Sequence, residues 1–459
     1  MSDGKSEGEG KSAGMSATGP AEIAEVPAAG RQGAHDPDVG LTTLPSGLRV
    51  VSQRMEHAAT VSLGIWIGSG SRDELPHEHG LAHLLEHMAF KGTARRNALQ
   101  IAEEIESVGG DLNAATSVEY TCYTARVLGS DLPLAVDILA DILTASSLTE
   151  EELKREKGVI LQEIGAVQDT PDDLVYDRFL QAAFPDQPLG RPILGTAKTV
   201  KGFTPDAIRA YLARNYHAGN MVLAASGAVD HDELVKLAET HLAALPKSPA
   251  TPPAREDGHY LGGEARIGSD EEQVHLVLGF PGQAFKDGAH YPLQIFSSVL
   301  GGGLSSRLFQ EVRERRGLAY AIDAFHWPFS DCGVFGIGAG TAPEDVGELI
   351  EVALGCLRQA AEDTTEAEVA RARAQMKVGL LASLESPGGK LEQMARQVLL
   401  FGRAIPREEL AARLDAVTLA DVRAAGRSLL GHQPTVAAVG PLQGLPPAKR
   451  LRHAARAAD

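Results

Sequence analysis

Two histidines four positions apart, with a glutamate directly before the second, stand in the run HGLAHLLEHMAFKG as His83, Glu86 and His87. Imidazoles are the commonest metal ligands, and a carboxylate beside them is a residue type that takes a proton from water. On a helix the i, i+4 spacing sets both imidazoles on one face. At about 100° per residue, Leu81, Leu84, Leu85 and Met88 form one stripe, while His83, Glu86, His87 and Phe90 form the opposite one. One stripe suits a core and the other a metal. A pentapeptide of this kind also arises by chance, so a third ligand is needed to support it.

Zinc in catalytic sites takes three protein ligands and keeps a fourth position open. The segment Thr149 to Val167 offers a carboxylate. Thr149 followed by Glu152 predicts a capping box that starts a helix, with Leu153, Ile160, Ile164 and Val167 as its apolar face. Glu156 and Glu163 fall on that same face, where a carboxylate is costly unless a cation or donor compensates it. The alternative for both is the solvated edge of an amphipathic helix.

These elements need a scaffold. At 459 residues and 43% hydrophobic content, the chain can fill more than one core. Residues 1–40, rich in Gly, Ser, Ala and Glu and without apolar periodicity, read as a disordered tail. The segment Pro246 to Gly258 concentrates proline and charge and reads as a linker between an N-terminal domain, 41–245, and a C-terminal domain, 259–450; residues 451–459 form a short tail. The runs Ser62–Gly68 and Val274–Phe280 are strand-like, and each half then turns to long helical patterns. Each half also ends on a polar turn, a short apolar strand and a glycine turn: YHAGNMVLAASGAVDHDEL in the first, LLGHQPTVAAVGPLQGL in the second. The expectation is α+β, with two related domains that each pack helices on an antiparallel or mixed sheet.

A formal net charge of −18 disfavours broad phosphate neutralisation, and with it a nucleic-acid role. The three glycines Gly301–Gly303 lack the Lys-Ser or Lys-Thr of a phosphate loop. Three widely spaced cysteines, Cys122, Cys332 and Cys356, argue against a disulfide framework. No secretory signal pattern or membrane-length apolar run stands in the sequence, so the expectation is a cytoplasmic protein.

In order along the chain, TTLPSGLRVVS, GSRDE, HGLAHLLEHMAFKGT, GGDLNAATSVEYTCY, REKGVILQEI, LGRPILGT and GGGLSSRLFQEVRERRGLAY resemble the pitrilysin type of inverted-zincin metallopeptidase. Within it, the pattern is similar to the β subunit of the mitochondrial processing peptidase and its bacterial relatives. The resemblance implies one zinc ion per chain on His83, His87 and Glu163, with Glu156 behind the ligands and Glu86 moving the proton from water to the leaving amine. It implies that Arg313 and Tyr320 hold the substrate carbonyl and its tetrahedral intermediate. It also implies that Asn113 and Ala114 lie on an edge strand that pairs with extended substrate. Phe90 would line the pocket after the cut, and Asp173 and Asp177 would receive an arginine before it. The first of that acidic pair is shorter than the glutamate of the mitochondrial subunit. His77 and His79, in the loop before the histidine helix, match no ligand of the family.

The family architecture implies half of a clamshell, with peptide substrates and a site shared across a homodimer or a heterodimer with a paralogue. Two further readings are a dedicated peptide-maturation protease and a noncatalytic assembly subunit. A helix is also predicted from Ser305 to Gly317, carrying Arg313.

Overall fold

The apolar strand runs are sorted face by face in the structure, a computed structural model that describes residues 36–248 and 255–447. Strand β3 (Thr60–Ile67) sends Val61, Leu63, Ile65 and Ile67 into one core and Trp66 into another, as the two-residue repeat of a strand requires. Strand β6 (Met221–Gly227), from the first of the two echoing segments, does the same with Met221, Leu223 and Ala225 against Val222 and Ala224.

These strands, with β1 (Gly40–Thr43), β2 (Arg49–Arg54), β4 (Asp111–Thr116) and β5 (Thr121–Leu128), form a sheet in the order β1-β2-β6-β3-β5-β4. A second sheet joins β7 (Glu264–Gly268), β8 (Val274–Gly282), β9 (Ala319–Pro328), β10 (Gly333–Thr341) and β11 (Thr435–Gly440) in the order β7-β11-β8-β10-β9. Each sheet has a single parallel pair, β2 with β6 and β7 with β11. The second sheet therefore repeats the order β2-β6-β3-β5-β4 strand for strand, and the expected pair of α+β domains with mixed sheets is present.

One face of each sheet is covered by helices of its own half. The other face receives a helix from the opposite half. Leu391, Met394, Ala395 and Val398 of the helix Pro387–Phe401 pack on Val51, Trp66, Val222 and Ala224. In return, Leu174, Val175, Phe179 and Ala183 of the helix Pro171–Ala183 pack on Val277, Val334, Ala437 and Val439. Phe179 is fully buried, worth about 1.5–3 kcal/mol by area. It fits because β8 has a glycine beneath it: a Cβ on Gly279 would come within 1.9 Å of the ring.

Ionic contacts also join the halves. The buried guanidinium of Arg72 pairs with Glu119 at 2.7 Å and with Asp331 at 2.5 Å, and donates to the Glu256 carbonyl at 2.7 Å. Arg255 pairs with Asp73 at 2.9 Å and Glu119 at 3.2 Å, so the last residues of the expected linker are held in place.

The expected N-terminal tail needs a correction at its end. Asp36 and Val39 are buried, and the Asp36 carboxylate lies 3.7 Å from the buried Lys390 ammonium, a pairing that offsets desolvation of both. Residues 1–35, 249–254 and 448–459, which hold the rest of that tail, the middle of the linker and the C-terminal tail, lie outside the described residues. Among the described residues no helix is long and apolar enough to cross a membrane.

Candidate metal centre

The histidine helix runs from Leu81 to Ala89. Its start is fixed by a residue outside it: Glu74 accepts from the Gly80 amide at 2.9 Å and the Ala82 amide at 2.7 Å, satisfying two of the donors a helix N-terminus leaves open. Gly80 takes φ +94°, and a Cβ there would meet the Leu194 carbonyl at 2.7 Å. Leu81, Leu84, Leu85 and Met88 are buried in the first core, which leaves His83, Glu86 and His87 half-buried on the other side.

A second helix, Glu150–Gln168, begins where Thr149 accepts from the Glu152 amide and buries Leu153 and Ile160. It brings up both candidate carboxylates and separates them. Glu156 is buried and used at both oxygens, by His87 Nδ1 at 3.0 Å and by Lys91 Nζ at 2.9 Å. Glu163 instead lies 3.7 Å from His87 Nε2 and 3.9 Å from His83 Nε2.

The donor atoms of His83, His87 and Glu163 lie within 4.8 Å of one another, a group that could hold a metal ion. Tetrahedral zinc with ligands at about 2.0–2.2 Å needs donors about 3.3–3.6 Å apart, close to the two spacings seen. Glu163 Oε2 is buried without a hydrogen-bond partner, which a cation at this point would supply. Burial, with the neighbouring His87, pushes His83 down to about 4, keeping it in the neutral form that ligates. At His87 the contact from Nδ1 to Glu156 leaves Nε2 for a metal, the usual arrangement of a carboxylate behind a ligating histidine.

Glu86 is held from the sheet side, where Thr116 Oγ1 donates to its Oε2 at 2.6 Å. Thr116 closes β4, the end strand of its sheet, so the outer edge of β4 pairs with no strand among the described residues. A cleft runs along it, lined by Glu86, His87, Phe90, Lys91, Asn113 and Ala114 among others. Three groups here were not read from the sequence: Thr116, Lys91 and Glu74. Their types are ordinary, and only the meeting of helix and strand gives them these partners.

Residues 49–197 match the family described as Insulinase (Peptidase family M16), and residues 202–376 match the Peptidase M16 inactive domain. A protein of Streptomyces coelicolor named an uncharacterised zinc protease is 41% identical over 410 residues, spanning 88% of this chain and 89% of its own. The chain belongs to peptidase family M16. A Bacillus subtilis relative, also named an uncharacterised zinc protease, is 36% identical over 88% of this chain and 98% of its own. The crystal structure of a protease from Helicobacter pylori shares the fold, with a TM-score of 0.83 at 23% identity, over 89% of this chain and all of that one.

In this M16 chain the cluster and Glu86 fall in the first matched region, and Arg313 and Tyr320 in the second. The pair is brought together: the Arg313 guanidinium stacks 4.5 Å from the Tyr320 ring centre and 4.8 Å from that of Phe309. Neither residue lines the cleft at Glu86, and Tyr320 is 79% exposed. The helix expected over Ser305–Gly317 is shorter and wider than its sequence suggests. Leu304–Ser306 form a turn and bend, Phe309–Glu314 wind as a π-helix, and Gly317 at φ +65° lies beyond its end. Such widening re-aims side chains within a helix. Asp173 and Asp177 lie on the exchanged helix Pro171–Ala183 and do not line the cleft. Burial pushes the Asp177 carboxyl above its usual range, helped by Asp173 and opposed by Arg178.

Proposed function

We propose that the chain is a zinc-dependent metalloendopeptidase that cleaves extended or unfolded peptides. The observation that carries this is the meeting of Glu86 and the His83–His87–Glu163 cluster beside the open edge of β4. The names of the relatives, zinc proteases, support the metal and the reaction.

A bound zinc ion would supply Lewis-acid chemistry, polarising the scissile carbonyl and acidifying water at the site. His83, His87 and Glu163 would hold it, and Glu156 would fix the His87 ring. Peptide would add to β4 at Asn113 and Ala114 by backbone hydrogen bonds, which tolerate many side chains. Glu86, oriented by Thr116, would take the proton from water and return it to the leaving amine. Phe90 would pack the residue after the cut. An arginine before the cut would pair with Asp173 and Asp177, as in a processing peptidase.

Replacing Glu86 with Gln is the test. Zinc content by elemental mass spectrometry should stay at one ion per chain while cleavage of a peptide library falls to background; full activity in the variant sinks the assignment.

The exposure of Tyr320, and the absence of Arg313 from the cleft, support a site completed by a second chain. In that homodimer, or in a heterodimer with a paralogue, the pair would stabilise the oxyanion of the partner's substrate. Mixing Glu86→Gln with Arg313→Ala chains should restore activity once subunit exchange is shown; no rescue places the whole site in one chain.

A further inference from the structure

Behind the β4–β5 hairpin, where the two halves meet, a cleft of about 210 Å³ lies apart from the metal centre. Its walls are the turn Ser117–Tyr120, Phe285 and Phe329 of the second half, and Leu399 and Leu400 of the exchanged helix. Three arginines line it, Arg49, Arg255 and Arg396, against a single carboxylate, Glu119.

The charges do not balance. Glu119 is already held by Arg72, by Arg255 and by the amide and hydroxyl of Ser330. Arg255 is held at both oxygens of Asp73. One cation is left without an acid, and a second is paired with only one. Arg49 donates to the Val398 carbonyl at 2.8 Å and takes part in no ion pair among the described residues, and burial lowers its pKa. Arg396 lies over the rings of Tyr120 and Phe285, 5.6 and 5.8 Å from their centres, and pairs with Glu392 at 3.3 Å, its one acid among the described residues. A desolvated guanidinium without an acid, as at Arg49, is costly, and an anion placed beside it offsets the cost. In a chain of net charge −18 this is a local inversion of sign.

We propose that this cleft binds a small organic carboxylate, its head on Arg49 and Arg396 and its apolar body against Tyr120, Phe285, Phe329 and Leu399. Guanidinium groups match a carboxylate with paired donors, and the aromatic walls take the place of water around the body. The site is independent of the proposed peptidase chemistry. It sits at the turn of the hairpin whose β4 strand ends in Thr116, the residue that holds Glu86.

The test titrates the full chain with 3-phenylpropanoate and with its neutral amide, by calorimetry and by thermal shift. The carboxylate should bind saturably, one per chain, and the amide should not. Arg49→Gln and Arg396→Gln should each weaken binding by about tenfold or more, the scale of one charge-assisted hydrogen bond. The ligand-free melting temperature of Arg49→Gln should hold or rise, because a desolvated charge is gone. Equal binding of the amide overturns the proposal, as does the absence of saturable binding at millimolar carboxylate. A lower melting temperature in Arg49→Gln with unchanged affinity would make Arg49 structural. Binding that survives in both variants but disappears when a chelator removes metal would place the carboxylate on the metal instead. The comparison of acid with amide on the unmodified chain decides the case even if a variant fails to fold.

Discussion

Thr116 donates a 2.6 Å hydrogen bond to Glu86, so the last residue of the edge strand holds the carboxylate that shares a cleft with His87. Thr116→Val keeps the shape and removes the donor. We expect kcat to fall about tenfold, the scale of one hydrogen bond to a charged group, with zinc content unchanged. Steady-state kinetics with elemental analysis would check this, and an unaltered kcat would separate Thr116 from the chemistry.

Glu156 bridges Lys91 and His87 Nδ1. Glu156→Ala should weaken zinc binding by about 10–100-fold, the usual effect of removing the carboxylate behind a ligating histidine. Competition with a fluorescent chelator measures it directly.

Glu74 caps the histidine helix from six residues before Gly80. Glu74→Ala leaves two amides without their acceptor and should cost about 2 kcal/mol of stability. Glu74→Gln, which retains an acceptor oxygen, should lose less. Denaturant titration would rank the two variants, and equal stability of all three proteins would remove the cap from the account.

Acid should destabilise the protein well above the carboxylate range. Burial, helped by the charges of His326 and Arg413, pushes His290 down to about 4 from 6.5, and burial, opposed by a hydrogen bond to the Gln283 backbone, pushes His326 down to the same value. Between those values the unfolded chain binds protons that the native chain does not. Stability is therefore full above about pH 6.5 and falls as pH drops towards 4, by an amount on the order of 2–3 kcal/mol per histidine. Melting temperature against pH should show the slope, and His290→Gln should flatten it.

Arg72 is buried between carboxylates of both halves. Arg72→Ala leaves Glu119 and Asp331 without their buried cation and should cost about 3–5 kcal/mol. Arg72→Ala combined with Glu119→Gln and Asp331→Asn should recover part of that loss in the same unfolding assay; no recovery would mean the cost is packing rather than charge.

Much of the site is legible along the chain. The stripe Leu81, Leu84, Leu85 and Met88 is buried as its period predicts, and Thr149 opens the helix that carries Glu156 and Glu163. The two glutamates look alike in sequence, because both sit on one face two turns apart. Only the position of Lys91 and His87 occupies one and leaves the other beside the imidazoles. The reading of Ser305–Gly317 as one regular helix failed for a related reason: propensity does not report the π-widening that sets Arg313 between Phe309 and Tyr320.

By itself the sequence determined the types of the candidate ligands, their spacing on two helices and the repeated pair of α+β halves, while the resemblance of its ordered motifs implied the family. The spacing and the strand and helix patterns are properties of local periodicity, which the chain carries whatever its partners. The tertiary structure decided which sheet each exchanged helix covers, that Thr116 meets Glu86, that Arg72 joins the halves, and that Arg313 and Tyr320 do not line the cleft at Glu86. Those contacts depend on strand order and on elements far apart in the chain, and no local pattern encodes a distance across a sheet.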